Sequence, residues 1–233
     1  MQRSNTPNLI TTAVLIAGLA SGLATAAQAA VIVSSTAPTP DGDDIAQTLQ
    51  QFNKSLALTT SLGQSFTTGS NTLGYELNAF TLRISRESLG HIGLTFAIRV
   101  VELDTVATSG NASYTTVTTQ TGFTFTGNIL NNDYLTFSLS PVALDPLTIY
   151  GVEVDVTSNG TGSSFAGQVH ARGSNPLATG NFYIASSSVA SGDVALNSED
   201  LTFWTDITTV IPEPASMALL ALGGLLIAKP RRR

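Results

Sequence analysis

Several segments of this sequence alternate apolar and polar side chains with a period of two, a pattern that few folds accommodate. It is clearest in residues 75–85, where Phe80, Leu82 and Ile84 alternate with polar residues. Because successive side chains of a strand point to opposite faces, the pattern predicts a strand with one buried and one solvated face. Residues 94–101, 134–139 and 147–156 repeat it. Their predicted inward side chains are Leu94, Phe96, Ile98, Val100, Leu135, Phe137, Leu139, Tyr150, Val152, Val154 and Val156.

Shorter Thr-rich and aromatic segments extend this series of strands, and turn signals such as Asn159-Gly160 separate them. The additional candidates are residues 31–33, 64–67, 114–119, 122–126, 165–170, 182–186 and 201–208. The weak pattern in residues 46–58 is interpreted as containing a helical turn. Nine or ten short strands with little helix predict an all-β fold, an antiparallel β-sandwich of jelly-roll type. No repeat of fixed period indicates a propeller or solenoid.

The charge distribution narrows the range of partners. Between residues 30 and 210 there are five basic and fifteen acidic residues, so the net charge of this part is about −10. Such a segment lacks the basic surface with which proteins replace the counterions of phosphate, and no nucleic-acid partner is expected. The chain contains no Cys, which excludes disulfides and thiol chemistry.

Residues 1–29 read as a secretory signal peptide with a signal helix. Arg3 supplies a weakly positive start, residues 9–20 are mostly apolar, and Ala27 and Ala29 form an A-x-A cleavage site. The mature chain is then predicted to begin at Ala30 after passage through the Sec export machinery. An N-terminal transmembrane anchor is the alternative interpretation.

The C-terminal residues 211–233 contain three parts in order. The first is the sequence Pro212, Glu213 and Pro214, which the prolines keep extended. Residues 215–228 carry no charge and would span about 21 Å as a helix, against a bilayer core of about 30 Å. Four basic residues follow and predict a membrane stop on the cytoplasmic side: Lys229, Arg231, Arg232 and Arg233. The prediction is a transmembrane helix; a buried helix or a plain membrane anchor are the alternatives.

This three-part tail resembles the PEP-CTERM sorting signal of Gram-negative bacteria that make exopolysaccharide. The resemblance covers about a tenth of the chain, and Lys229-Pro230 departs from the often unbroken basic end of the signal. It implies recognition of the Pro-Glu-Pro motif by exosortase, a membrane-embedded transpeptidase similar to cysteine proteases. It also implies transient residence in the inner membrane, followed by release or re-anchoring at the cell surface.

A second resemblance concerns the predicted β domain. Residues 61–69 contain Gln-Ser-Phe-Thr and precede the Leu-rich strand at residues 77–84, and residues 144–154 contain Thr-Ile-Tyr. These segments are similar to bacterial choice-of-anchor domains over about 100 residues. The resemblance implies an all-β surface domain that is attached through interchangeable C-terminal signals. It implies no particular reaction.

Candidate catalytic residues are scarce. His91 and His170 are the only histidines, and neither a His-Glu-x-x-His nor a Gly-x-Ser-x-Gly motif occurs. Arg99 is predicted to point outward. Glu153 and Asp155 share one strand face about 7 Å apart, a separation compatible with a paired-carboxylate glycosidase. A solvated strand face is the plainer interpretation, and the chain is predicted not to be an enzyme and to need no cofactor.

Two segments are candidates for binding. Asp41, Asp43 and Asp44 form an acidic turn that could hold calcium, although the spacing lacks the alternation of an EF-hand loop. A solvated turn without metal is the preferred interpretation. Trp204, the only Trp, would point outward if Phe203 points inward, and an exposed indole can stack on sugars. Tyr114, Tyr134 and Tyr183 could join it; an inter-sheet or edge-strand Trp is the alternative.

The sequence therefore predicts three regions: residues 1–29 for export, 30–210 as a β-sandwich domain and 211–233 as the sorting signal. The predicted function is that of an exported cell-surface or extracellular-matrix protein, processed by exosortase and associated with exopolysaccharide. A lectin-like carbohydrate-binding module is the alternative, and a secreted hydrolase the third interpretation.

Overall fold

The computed structural model describes residues 30–58, 60–86, 93–105, 110–125, 129–159, 165–173, 177, 180–186, 193–196 and 199–211. Within these ranges the chain forms strands and no helix, which confirms the prediction of an all-β fold. The strands are β1 (Ala30–Ser34), β2 (Ala46–Gln47), β3 (Phe52–Ala57), β4 (Thr60–Thr67), β5 (Tyr75–Arg86), β6 (Leu94–Leu103), β7 (Gly110–Thr124), β8 (Tyr134–Leu144), β9 (Ile149–Asn159), β10 (Phe165–Gly173), β11 (Phe182–Ser186), β12 (Asp193–Leu196), β13 (Glu199–Leu201) and β14 (Phe203–Thr209).

Two antiparallel sheets build the domain, as expected of a β-sandwich. The first sheet has the order β2-β14-β5-β8-β1. The second contains β3, β10 and β13 together with β4, β6, β7, β9, β11 and β12. The long strand β5 belongs to both, because its end at Ile84 and Arg86 pairs with β10 after a bulge.

The main core lies between the two sheets, and the predicted inward side chains form it. All fourteen inward side chains predicted from the four alternating segments are at most 3% exposed. Phe137 lies edge-on to Phe96 and Phe123, with ring centroids 5.4 and 5.8 Å apart, a favourable arrangement for aromatic pairs. The period-two pattern therefore identified the inner faces of these strands correctly.

A second, smaller core lies on the opposite face of the second sheet. The strands β4, β9, β6, β7, β12 and β11 pair in succession, and β11 pairs back with β4, so the six close into a ring. The ring strands contribute Val101, Leu103, Ala112 and Tyr183 to a buried cluster, with Tyr114 and Ile149 packed against it. These residues belong to strand faces that a simple sandwich would expose to water.

Three sequence-based assignments of secondary structure need correction. Residues 46–58 form β2 and β3 and not a helical turn, because β2 pairs with β14 and β3 pairs with β10. The two strands expected in residues 114–126 are one strand, β7, with register shifts opposite β6. The short strand β12 was not predicted; it forms by pairing with β7 and β11.

In the part of the chain that the structure describes, no helix is long and apolar enough to cross a membrane. The predicted signal helix at residues 1–29 and the predicted transmembrane helix at residues 215–228 both lie outside that part.

Candidate functional site

Most residues of the predicted export and sorting signals lie outside the described ranges. This applies to Ala27, Ala29, Pro212, Glu213, Pro214, Lys229, Arg231, Arg232 and Arg233, and also to His91. The described chain ends at Ile211, directly before the Pro-Glu-Pro motif, and this residue is 76% exposed.

Trp204 forms no exposed platform, since it is only 4% exposed, and this agrees with the interpretation of a Trp packed within the domain. Phe203 and Trp204 do point to opposite faces of β14, but both faces are covered. Trp204 packs edge-on against Tyr134, with ring centroids 5.1 Å apart. A groove of about 270 Å³ separates the strand from the acidic turn, and Pro38, Thr39, Asp41 and Asp44 line it together with Trp204.

The acidic turn is fastened to β14 by its own carboxylates. Asp44 accepts hydrogen bonds from the backbone N–H groups of Asp41 at 3.0 Å and Ile207 at 2.7 Å, and Asp41 accepts one from Asp43 N–H at 3.2 Å. Burial raises the pKa of Asp44, while these backbone hydrogen bonds oppose the rise. Among the residues with described positions, no group of three or more His, Cys, Asp or Glu could hold a metal ion. The carboxylates of Asp41 and Asp44 therefore act as hydrogen-bond acceptors within the turn and toward β14.

Glu153 was expected on a solvated face, and this is wrong, because its side chain is 0% exposed. It lies within the second core, where Arg99 donates from Nε to Glu153 Oε2 at 2.5 Å, and Arg99 Nη2 lies at the same distance from that oxygen. Burial raises the pKa of Glu153, and the charge of Arg99 opposes this. Asp155 shares the strand face as predicted and accepts a hydrogen bond from Ser61 Oγ at 2.8 Å. Of the two carboxylates, Glu153 is thus part of the core, whereas Asp155 is only partly buried.

Tyr183 also belongs to this core and not to an exposed aromatic surface. Its ring lies over Gly63 and Gly151, two positions where any Cβ atom would overlap it. Burial, followed by the charge of Glu153, raises the pKa of its hydroxyl well above the usual range. Tyr114 packs at the edge of the same cluster, and its hydroxyl lies 3.4 Å from Arg99 Nη1. Of the three tyrosines proposed to join Trp204, only Tyr134 lies beside it.

A buried polar network that sequence reasoning missed joins β4 to β13. The amide of Gln64 donates to Asp200 Oδ1 at 2.8 Å and accepts from Leu201 N–H at 2.7 Å, while Leu177 N–H donates to Asp200 Oδ2 at 2.8 Å. Burial raises the pKa of Asp200 to about 6, against the opposing effect of these hydrogen bonds. The only signal of this network was the polar Gln64, which lies between the apolar Leu62 and Phe66 in the period-two pattern of its strand.

We expect the Asp200 carboxyl to make the domain less stable as the pH rises from 4 to 7. Its folded-state pKa lies above the ordinary value, so its contribution is fully present below about pH 4 and is lost as the pH rises through about 6. Between pH 4 and pH 7, this effect should lower the free energy of unfolding of the wild type by on the order of 1 kcal/mol, and Asp200→Asn should remove that decrease. Urea unfolding followed by Trp204 fluorescence measures this.

The control for that experiment is Asp145→Asn, which neutralises an exposed acid. It should leave the slope between pH 4 and pH 7 as in the wild type. Equal slopes for Asp200→Asn and the wild type would contradict the assignment to Asp200.

Comparison with known proteins identifies no family for this chain. No family model matches it, and no curated protein matches it. The solved structure of infectious bursal disease virus Gx strain matches at 14% identity and a TM-score of 0.30, covering 85% of this chain and 49% of the viral chain. The Gt strain structure matches at 14% identity and a TM-score of 0.22, covering 85% and 48%. This chain spans about half the length of those viral chains, and such low TM-scores indicate neither a shared fold nor a shared function.

Proposed function

We propose that this chain is a non-enzymatic, exported protein of the bacterial cell surface or extracellular matrix. Residues 1–29 direct export through the Sec machinery, residues 30–210 form a sandwich of jelly-roll type, and residues 211–233 form a PEP-CTERM sorting signal. In this proposal, the apolar helix at residues 215–228 holds the chain in the inner membrane until exosortase processes it at the Pro-Glu-Pro motif. The released domain then associates with exopolysaccharide.

The observation that carries the proposal is the place where the last described strand, β14, ends. The last residue of β14, Thr209, pairs with Tyr75, and Val210 N–H donates to the carbonyl of Gly74 at 3.1 Å. The next residue, Ile211, is largely exposed and immediately precedes Pro212. The β-sheet pairing thus stops two residues before the motif. This supports the proposal that an enzyme can reach the motif without unfolding the domain.

The paired substitution Pro212→Ala with Pro214→Ala should block processing, because it removes the extended conformation and the motif's side chains together. We expect at least a tenfold drop in the amount of mature chain, with the unprocessed form retained in the membrane fraction. The intact mass of the mature chain, measured in producing cells with and without the exosortase, shows whether and where the chain is cleaved.

Ser216→Ala serves as the control, since it changes a neighbouring residue outside the motif. Normal processing of the double proline variant, or of the wild-type chain in cells that lack the enzyme, would refute the proposed route. The same mass measurement should place the mature N-terminus at Ala30.

A further inference from the structure

The few basic residues of the domain are not spread evenly over its surface. Four of the five between residues 30 and 210 lie on β3, β5 and β10: Lys54, Arg83, Arg86 and Arg172. These strands are neighbours in the order β5-β10-β3. His170 lies on the central one, β10. A domain with a net charge of about −10 thus concentrates its positive charge on three adjacent strands.

Two of these side chains, Arg83 and His170, meet at one amide, and a third, Arg172, lies near them on the same strand face. Arg83 Nη2 donates to Asn132 Oδ1 at 3.2 Å, and His170 Nε2 lies 3.2 Å from the same oxygen. Arg172 follows His170 by two residues on β10, so it shares that strand face about 7 Å away. The Arg83 guanidinium also lies 5.5 Å from the centre of the Tyr134 ring, which holds it in place.

The charges of Arg83 and Arg172 are not neutralised by neighbouring carboxylates. Across the described ranges, neither guanidinium has a carboxylate within 4.0 Å, and both Nε atoms are buried without a hydrogen-bond partner. The charge of Arg83 acts in addition to burial in lowering the pKa of His170.

The acids closest to this face already have partners. Glu199 is ion-paired with Lys54 at 2.5 Å, and Asp200 accepts from Gln64 and from Leu177 N–H. Asp133 accepts a hydrogen bond from Leu130 N–H at 2.8 Å. Within the described ranges, no carboxylate forms an ion pair with either arginine, so both guanidinium charges are available to an anionic ligand.

We propose that Arg83, His170 and Arg172 form a binding site for the carboxylate groups of an anionic polysaccharide. A guanidinium fork matches the planar carboxylate and binds it through two parallel hydrogen bonds. The acidic remainder of the domain repels a polyanion, so the polysaccharide chain would bind only at this site. The inference rests on the proposed matrix association and gives it a ligand class.

The test measures binding of polygalacturonate to the full-length chain in detergent at low salt. Because the basic tail would also bind a polyanion, all variants carry Gln at residues 229 and 231–233. In that background, Arg83→Gln with Arg172→Gln should weaken binding at least about tenfold. The matched control is Thr72→Glu with Leu73→Glu, which lowers the net charge equally in an exposed turn at the far end of β5. It should weaken binding no more than about twofold.

Two further variants test the site if the double variant Arg83→Gln with Arg172→Gln fails to fold. Arg172→Gln alone, which removes one arginine and leaves the contacts of Arg83 with Asn132 and Tyr134 in place, should still weaken binding severalfold. Arg83→Lys with Arg172→Lys keeps the charge but loses the fork, and should bind with intermediate affinity.

Several results would overturn the site: no binding by the parent chain, equal binding of neutral dextran, equal losses in the patch and control variants, or a preference for single-stranded DNA of equal charge. Processing is read separately by intact mass. A chain that is processed but binds no polygalacturonate refutes only this site, whereas a chain that binds but is never processed refutes only the sorting proposal.

Discussion

Replacing Arg99 with Met is expected to destabilise the domain by about 3–5 kcal/mol, because it leaves the Glu153 carboxylate buried without its partner. Glu153 is fully enclosed in the second core, and Arg99 provides its ion pair. Chemical denaturation followed by the fluorescence of the single Trp204 measures the loss. Since burial already raises the pKa of Glu153, removal of the arginine further favours its neutral form, and the loss should be smaller at pH 4 than at pH 7.

The double variant Arg99→Met with Glu153→Leu should recover most of that stability, since it removes both charges and leaves apolar side chains. The natural control is the other ion pair, Lys54 with Glu199, whose side chains are 24% and 27% exposed. Lys54→Met should cost no more than about 1 kcal/mol, because its carboxylate partner Glu199 is partly exposed and solvent screens the pair. Equal losses for Arg99→Met and Lys54→Met would contradict the buried arrangement.

Gly63→Ala is the second substitution with a large expected effect, a loss of about 3 kcal/mol. An alanine Cβ would overlap the Cε2 and Cζ atoms of Tyr183, whose ring fills the space over Gly63 and cannot swing out because it is fully buried. The measurement is the midpoint of urea unfolding. Gly42→Ala is the control, because a Cβ there meets nothing within 4 Å, and it should change stability little.

A double-mutant cycle separates this overlap from a general effect on β4. Tyr183→Ala alone should cost about 3–5 kcal/mol through the cavity it leaves. Combined with Gly63→Ala, it should cost about 2 kcal/mol less than the sum of the single variants, since the new methyl group enters that cavity. Simple additivity would mean that the two residues are not in contact.

The residues that sequence reasoning misplaced all lie on outward strand faces. Trp204 alternates correctly with Phe203, but Tyr134 packs against it and the turn around Asp41 and Asp44 borders the same groove. Glu153 alternates correctly with Val152 and Val154, but the closing of the six-stranded ring encloses it. In both cases the local pattern correctly indicated the direction of the side chain. Whether water lies in that direction depends on chain segments about 100 or more residues away, or on strands such as β12 that form only by pairing.

The clustering of Arg83, His170 and Arg172 was hidden for the same reason, because nearly 90 residues separate the two arginines in sequence and the pairing of β5 with β10 brings them together. By contrast, the period-two alternation by itself determined the all-β class and the side chains of the main core, since side-chain direction along a strand is a local property. Only the tertiary structure decided which outer faces are buried, where the charged groups meet and which strands pair with β14, because these depend on contacts between distant segments.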